Sequence, residues 1–281
     1  MRGRRLDPPT PDRPGQKTRT HLTHFLRTPS ARAVRPLALA CLAAGAALTA
    51  SAVQAQTPPD RATVGAGVAV LPAYAGSDEM VVVPVPIIDV KHGRFYANLA
   101  DGAGVYAIDT DHFRLGGGLS FVRGQREEDL PMGVDDLSNS AGATLLARYT
   151  VGRTGFTLDA TRALGGAEGT TVEGRVSQLY RVNRRLIVIP SVALTWADDK
   201  TMEGYFGVDA DESAASGLEA FTPDAGMRDL AVALTANYRL TRTLNLTGTA
   251  GVTTLLDEAA DSPLADKRTA PFVLVGLSRS F

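Results

Sequence analysis

Apolar and polar side chains alternate along most of the chain after residue 60, and this period of two restricts the fold more than any other feature. In the segment 229–240, every even position from Leu230 to Leu240 is apolar, while the odd positions are polar or small. The segments 113–121 and 244–256 repeat the pattern. Because successive side chains of a β-strand point to opposite faces, each segment predicts a strand with one apolar and one polar or small face.

Segments of this kind recur about twelve times, and the third and fourth are the least regular. The predicted strands cover residues 62–71, 81–91, 94–99, 103–109, 113–124, 140–151, 155–164, 170–182, 185–197, 228–240, 244–256 and 271–281. The chain after residue 60 has no run of eighteen apolar residues, so this part of the sequence contains no candidate for a membrane-spanning helix.

The lengths of the connections distinguish a membrane barrel from a soluble sandwich. Five connections at one end are tight turns, at residues 92–93, 110–112, 152–154, 183–184 and 241–243. The three longest, at residues 125–139, 198–227 and 257–270, all lie at the other end. Short turns on the side that holds both termini are typical of bacterial outer-membrane proteins. The sequence therefore predicts an all-β fold, an antiparallel transmembrane β-barrel with short periplasmic turns and long extracellular loops.

Residues 1–55 differ in charge from the rest and have the parts of a secretory signal. They hold nine of the 29 Lys and Arg but two of the 30 Asp and Glu, and the remaining 226 residues carry 20 basic and 28 acidic side chains. Arginines precede the uncharged run Leu37–Ala50, and small residues follow it up to Ala55. We predict an N-terminal extension and signal peptide over 1–55, cleaved after Ala55, and an outer-membrane barrel over 56–281. The acidic barrel excludes nucleic acid as a partner.

Charged residues occur on four successive predicted strands, in the phase opposite to their apolar neighbours. They are Arg114, Arg148, Asp159, Glu173 and Arg175. An arginine facing lipid near the midplane costs about 2–4 kcal/mol, so these residues are predicted to face the lumen. There they either pair across the wall and fill the interior or line a narrow conduit.

The last predicted strand ends in an aromatic residue with apolar residues alternating behind it. Val273, Val275, Leu277 and Phe281 form this pattern, and Arg279 departs from it. The pattern resembles the terminal signal by which the outer-membrane assembly machinery recognises its clients, so that machinery is an expected partner.

Four blocks in the loops resemble the MipA/OmpV family of outer-membrane proteins. They are residues 72–78, 205–208, 216–226 and 255–264, and they keep the family's order. The resemblance implies a scaffold that joins a murein transglycosylase to a penicillin-binding murein synthase. Other members of the family are linked to osmotic or antibiotic response, which leaves a small-solute or ion channel as the alternative.

No catalytic or cofactor site is expected. The barrel segment has two histidines, His92 and His112, and both fall in tight turns without the hydroxyl nucleophile that a lipid-modifying enzyme would need. It has no cysteine, and the acids of 198–227 lack the spacing of a calcium loop. Thirteen carboxylates in 125–139 and 198–227 make the outer rim acidic, where the neighbours are membrane lipid and lipopolysaccharide.

Overall fold

A computed structural model describes residues 60–281, which form one antiparallel sheet closed into a barrel; the predicted leader 1–55 and its cleavage point lie outside these residues. The strands are β1 Arg61–Pro72, β2 Met80–His92, β3 Phe95–Asn98, β4 Gly102–Asp109, β5 Phe113–Val122, β6 Ser140–Val151, β7 Thr154–Ala163, β8 Thr170–Gln178, β9 Tyr180–Arg181, β10 Leu186–Ala197, β11 Gly226–Arg239, β12 Leu244–Leu255 and β13 Thr269–Ser280. Pairing of β1 with β13 and of β10 with β11 closes the ring.

The strands β8 and β9 are one strand of the barrel, interrupted at Leu179. Both pair with β10 in a single continuous register, and the break lies where Pro190 faces them. Proline has no backbone N–H, so the ladder lacks a donor at this point. Counted as one, β8 and β9 give a closed ring of twelve strands, which confirms the predicted fold class and strand number.

The outer face of the barrel is apolar and carries an aromatic girdle at one end. Valines and leucines such as Val64, Leu145 and Leu234 are half or more exposed on it. Six exposed aromatic side chains sit at the strand ends nearest the short turns: Phe95, Tyr149, Phe156, Tyr180, Tyr238 and Phe281. Girdles of this kind mark the membrane–water boundary of outer-membrane barrels, so the short turns lie just beyond the bilayer.

The long loops at the opposite end are ordered and contain short helices. These are α1 Asp199–Phe206, α2 Ala210–Ser216, α3 Asp257–Asp261 and a 3₁₀ turn at Glu127–Asp129. Acids of these loops act as caps: Asp198 accepts from the Thr201 N–H, and Asp209 forms a capping box with Glu212. Within residues 60–281, no helix has the length and hydropathy needed to cross a membrane.

The wall of the barrel is incomplete on one side, because the β3–β4 hairpin is short. β2 pairs with β1 along its length, but only its residues 89–92 pair with β3. At the other side of the hairpin, β4 pairs with β5 no further than Leu119. We call the opening between Met80–Ile88 of β2 and Ser120–Val122 of β5 the wall gap. At about 3.4 Å per residue, its β2 side is about 30 Å long. β2 therefore has a free edge over Met80–Ile88, although the ring of strands is closed.

Two prolines lie on the free edge of β2. The Phe281 N–H donates to the Ala62 carbonyl, so even-numbered β1 residues bond to β13 and odd-numbered ones bond to β2. Odd-numbered β1 residues are opposite odd-numbered β2 residues, so the N–H groups of even-numbered β2 residues face the wall gap. Pro84 and Pro86 are both even-numbered. They remove two donors from an edge that has no strand partner, which is the position where sheets tolerate proline.

Pro190 lies in a strand that is paired on both sides, whereas Pro84 lies on a free edge. Replacing them should therefore change the stability of the barrel differently. Pro190→Val supplies the missing donor between β10 and β8, and we expect its free energy of unfolding to exceed that of Pro84→Val by about 1 kcal/mol when each is measured against its parent. Pro84→Val adds a donor that faces the wall gap and should not stabilise the barrel. Both changes relax the unfolded chain alike, so their difference in urea-unfolding midpoint isolates the donor. Equal midpoints would show that β2 has no free edge.

Candidate functional site

Charged side chains line the lumen in rows that follow the hydrogen-bonding register of the sheet. One row is basic: Arg114 is directly opposite Arg148, and Thr157 separates Arg148 from Arg175. The neighbouring row is acidic: Asp159 is opposite Glu173, and Thr195 separates Glu173 from Asp229. Like charges placed opposite each other destabilise a sheet, so each row requires charge from elsewhere.

The β3–β4 hairpin supplies the acids that neutralise the basic row. Asp109, at the end of β4, accepts from the Arg114 Nε at 3.1 Å, and its other oxygen lies 2.6 Å from the Lys91 Nζ. Asp101, at the hairpin tip, pairs with Arg148. Lys91, Asp101 and Asp109 are each less than 5% exposed as side chains. Breaking such a pair leaves an uncompensated buried charge, which makes the arrangement rigid.

Two tyrosines pack beside these charged residues inside the lumen, against a leucine of β6. The rings of Tyr96 and Tyr106 lie 4.6 Å apart, and both pack with Leu146. The Lys91 ammonium and the Arg114 guanidinium lie about 6 Å from the centre of the Tyr106 ring, within the range of a cation–π contact. We call Lys91, Asp101, Asp109, Arg114, Arg148 and the two tyrosines the lumen plug.

The five lumen charges predicted from the sequence are thus divided between two groups. Arg114 and Arg148 belong to the lumen plug, whereas Arg175 pairs with Glu173 on its own strand at 2.7 Å. Asp159 lies beside them with one buried oxygen that has no hydrogen-bond partner in the described part of the chain. The sequence reasoning missed Lys91, Asp101 and Asp109. Of these three, only Lys91 could have been predicted to face the lumen, because it is odd-numbered like the inward-facing valines of β2.

The outer loops close over the barrel mouth through two apolar clusters. One contains Ala73, Tyr74, Leu130, Val134, Val208 and Leu264, and the other contains Ala197, Met202, Phe206, Leu255, Ala259 and Ala260. We call them together the cap. Residues of all four sequence blocks that carry the family resemblance pack in the cap, with Leu218 and Phe221 at its margin.

Buried polar contacts fix the cap. Ser262 donates its hydroxyl to the Phe206 carbonyl at 2.6 Å, and Tyr74 donates to Asp266 at 3.2 Å. Burial, together with the nearby carboxylate of Asp266, raises the pKa of Tyr74 to about 12. Burial also raises the pKa of Tyr205, whose hydroxyl donates to the Arg123 carbonyl. Both phenols therefore stay neutral donors at any physiological pH.

A cavity of about 680 Å³, lined by both polar and apolar residues, occupies the lumen on the cap side of the barrel. On one wall, hydroxyls form a chain in which Thr144 bonds both Ser120 and Thr161 at 2.8 Å. Asp159, Glu173 and Arg175 also line it. Its volume is within the roughly 300–1,000 Å³ of small-molecule sites. Across residues 60–281, no group of three or more His, Cys, Asp or Glu is placed to hold a metal ion.

Exposed arginines concentrate at the periplasmic end, on neighbouring strands. Arg185 accepts at its carbonyl from the Arg239 N–H, and Arg279 pairs in register with Leu244. We call this surface the arginine patch; it comprises Arg181, Arg184, Arg185, Arg239, Arg242 and Arg279. The terminal residues Val273, Val275, Leu277 and Phe281 face outward beside it, and the Arg279 guanidinium lies 5.2 Å from the Phe281 ring centre.

The sequence of the chain is similar to sequences of one known family. The family model described as MltA-interacting protein MipA matches residues 64–281. The MltA-interacting protein of Escherichia coli K12 is 28% identical over 228 residues, which cover 78% of this chain and 90% of that protein. The putative outer membrane protein YiaT of the same strain is 28% identical over 109 residues, covering 38% of this chain and 44% of YiaT.

Among solved structures, the chain is similar to porins. The NanC porin aligns with a TM-score of 0.39 and 9% identity over 79% of this chain and 99% of that one. The KdgM porin aligns with a TM-score of 0.36 and 11% identity over 79% and 97%.

The lumen plug predicts a large stability difference between two aspartates. Asp109→Asn removes the carboxylate that pairs with the buried Lys91 and with Arg114, and we expect a loss of about 3–5 kcal/mol in the free energy of unfolding. Asp89→Asn removes an exposed partner of Arg61 and should change it by less than about 1 kcal/mol. Urea unfolding followed by tryptophan fluorescence compares the two. Similar losses for both would mean that the plug does not depend on Asp109.

The terminal aromatic predicts an assembly defect that other girdle residues do not share. We expect Phe281→Ala to lower the folded fraction of the barrel in the outer membrane, because it removes the end of the assembly signal. Phe95→Ala removes another exposed phenylalanine of the girdle and serves as the control. The folded fraction is read from the heat-dependent shift in gel mobility. Equal defects in the two variants would assign Phe281 to the girdle alone.

Proposed function

The chain belongs to the MltA-interacting protein (MipA) family and is a β-barrel of the outer membrane, and on that premise we propose that its periplasmic end holds enzymes that cut and build murein. The family name and the name of the Escherichia coli relative support one such enzyme, the transglycosylase MltA. A penicillin-binding synthase is the second enzyme in this proposal. The barrel itself would contribute binding surface and no chemical step.

The arginine patch is the observation that carries this proposal. Six arginines lie on adjacent turns and strand ends, while Asp60, Asp89 and Asp111 are the exposed or partly exposed acids described at that end. Arginine binds carboxylates through two parallel hydrogen bonds, and a surface of one sign speeds the encounter with a partner of the opposite sign. The patch therefore suits an acidic surface on a periplasmic enzyme, or the carboxylates of murein peptides beside it.

The interior favours a platform over a channel. The lumen plug places paired charges and two packed tyrosine rings inside the barrel, and the cap lies over the outer mouth. Both are built from buried contacts whose rupture is costly. A role without catalysis also suits His92: it is the exposed last residue of β2, and its Nδ1 lies 2.8 Å from the Asp60 carboxylate.

Photo-crosslinking tests the proposal directly. A photoreactive residue at Arg242 should capture a murein transglycosylase and a penicillin-binding protein in cells, whereas one at Met132 in an outer loop should not. We expect the charge reversal R184E/R185E to abolish capture from position 242, because it inverts the patch. The matched reversal R94E/R153E changes the same charge on turns outside the patch and should leave capture intact.

A conductance measurement tests the alternative that the barrel is a channel. We expect the purified barrel in a planar bilayer to show no steady large conductance. Absence of capture at Arg242 together with such conductance would overturn the scaffold and assign the chain to the channel alternative.

A further inference from the structure

The wall gap opens beside the lumen cavity. Around the ring, the residues that line the cavity pass from Leu71 and Pro72 of β1 to Ala100 of the hairpin tip and then to Ser120–Val122 of β5. The described residues of β2, which lies between them in the sheet, contribute nothing to the lining. In this sector the cavity is therefore bordered by the opening and not by a complete wall.

The β2 side of the wall gap is apolar on both faces. Val82, Pro84, Pro86 and Ile88 face outward, and Val81, Val83, Val85 and Ile87 face inward. Lumen-facing residues of a membrane barrel are ordinarily polar, as Ser120, Thr144 and Thr161 are on the opposite side. A strand that is apolar inside and outside provides a continuous apolar path around its free edge.

Small residues next to β2 extend this apolar inner surface. Gly65 and Gly67 of β1 face inward next to Val85 and Ile87, and the Ile87 side chain lies over Gly276 of β13, where an added Cβ would approach its Cδ1 to 2.3 Å. Glycine at positions 65 and 67 lets the backbones of β1 and β13 approach closely, and the Ile87 side chain fills the space over Gly276. The resulting inner surface is apolar, and it matches a hydrocarbon chain and not a hydrated solute.

Packed side chains lie on both axial sides of the cavity. The cap lies on its outer side, and the lumen plug lies below it. Arg123, just beyond β5, donates to the Ala73 carbonyl at 2.9 Å and so spans the outer end of the wall gap. Below this contact, the wall gap gives the cavity a side that faces the bilayer.

We propose that the wall gap admits one acyl chain of a phosphate-bearing lipid of the surrounding membrane, which lies along the inner face of β2. The exposed guanidinium of Arg123 stands at the outer end of the gap, where it binds the phosphate of the headgroup. Insertion of a partner strand is the other use of a free edge. Pro84 and Pro86 oppose it, because they withhold two donors that an added strand would need.

Quenching by brominated lipid tests the proposal in vesicles of dibrominated phosphatidylcholine. In a W196F background, which removes the one tryptophan of the chain, V83W places the probe on the inner face of β2. V82W faces lipid and provides the reference value for full quenching. N237W also faces inward, but behind a wall paired on both sides by β10 and β12, and sets the background. We expect V83W to be quenched as strongly as V82W and several times more than N237W.

Quenching of V83W at the level of N237W would overturn the proposal. So would isolation of a complex in which another polypeptide is crosslinked to β2 along the gap, since a strand would then occupy it. If V83W fails to give the heat-dependent gel shift of a folded barrel, V83C with a nitroxide label replaces it. Lipid-dissolved oxygen should then relax the label more than a water-soluble nickel chelate does, and the reverse order contradicts acyl-chain entry.

Discussion

The lumen depends on the pairing of a row of arginines with two aspartates from a hairpin. Arg114 and Arg148 are direct neighbours across β5 and β6, a placement that is unfavourable without counter-charge. Asp109 and Asp101 supply it, and both are almost fully buried. Buried charges persist only when they are paired, so the position of the β3–β4 hairpin inside the barrel is fixed by these contacts.

The same hairpin produces the wall gap. Its tip can place Asp101 next to Arg148 only because β3 ends after four residues, well below the outer end of β2. A longer hairpin would complete the wall but would carry its tip past the arginine row. The plug that closes the barrel along its axis and the opening in its side are therefore two consequences of one short hairpin.

Much of the fold was predictable from sequence, because a period of two and the segregation of short and long connections both act locally. Inward placement of Arg148 or Glu173 also followed from their phase. Asp101 was not predictable, because it lies in a turn whose position relative to β6 depends on hairpin length. The joining of the four loop blocks in the cap likewise depends on contacts between residues far apart in sequence, such as Ser262 with Phe206.

The free edge of β2 nevertheless has a signature in its sequence. A strand paired on both sides cannot hold two prolines of equal parity without losing two donors from one ladder, and the single Pro190 already interrupts β8 and β9. Pro84 and Pro86 share parity, so one edge of β2 must lack a strand partner over that length. The run 80–88 also has no polar residue on either face, which an ordinary lumen-facing strand would have. Two prolines separated by one residue, in a strand that is apolar on both faces, therefore indicate a lateral opening. They also identify the strand that borders the opening.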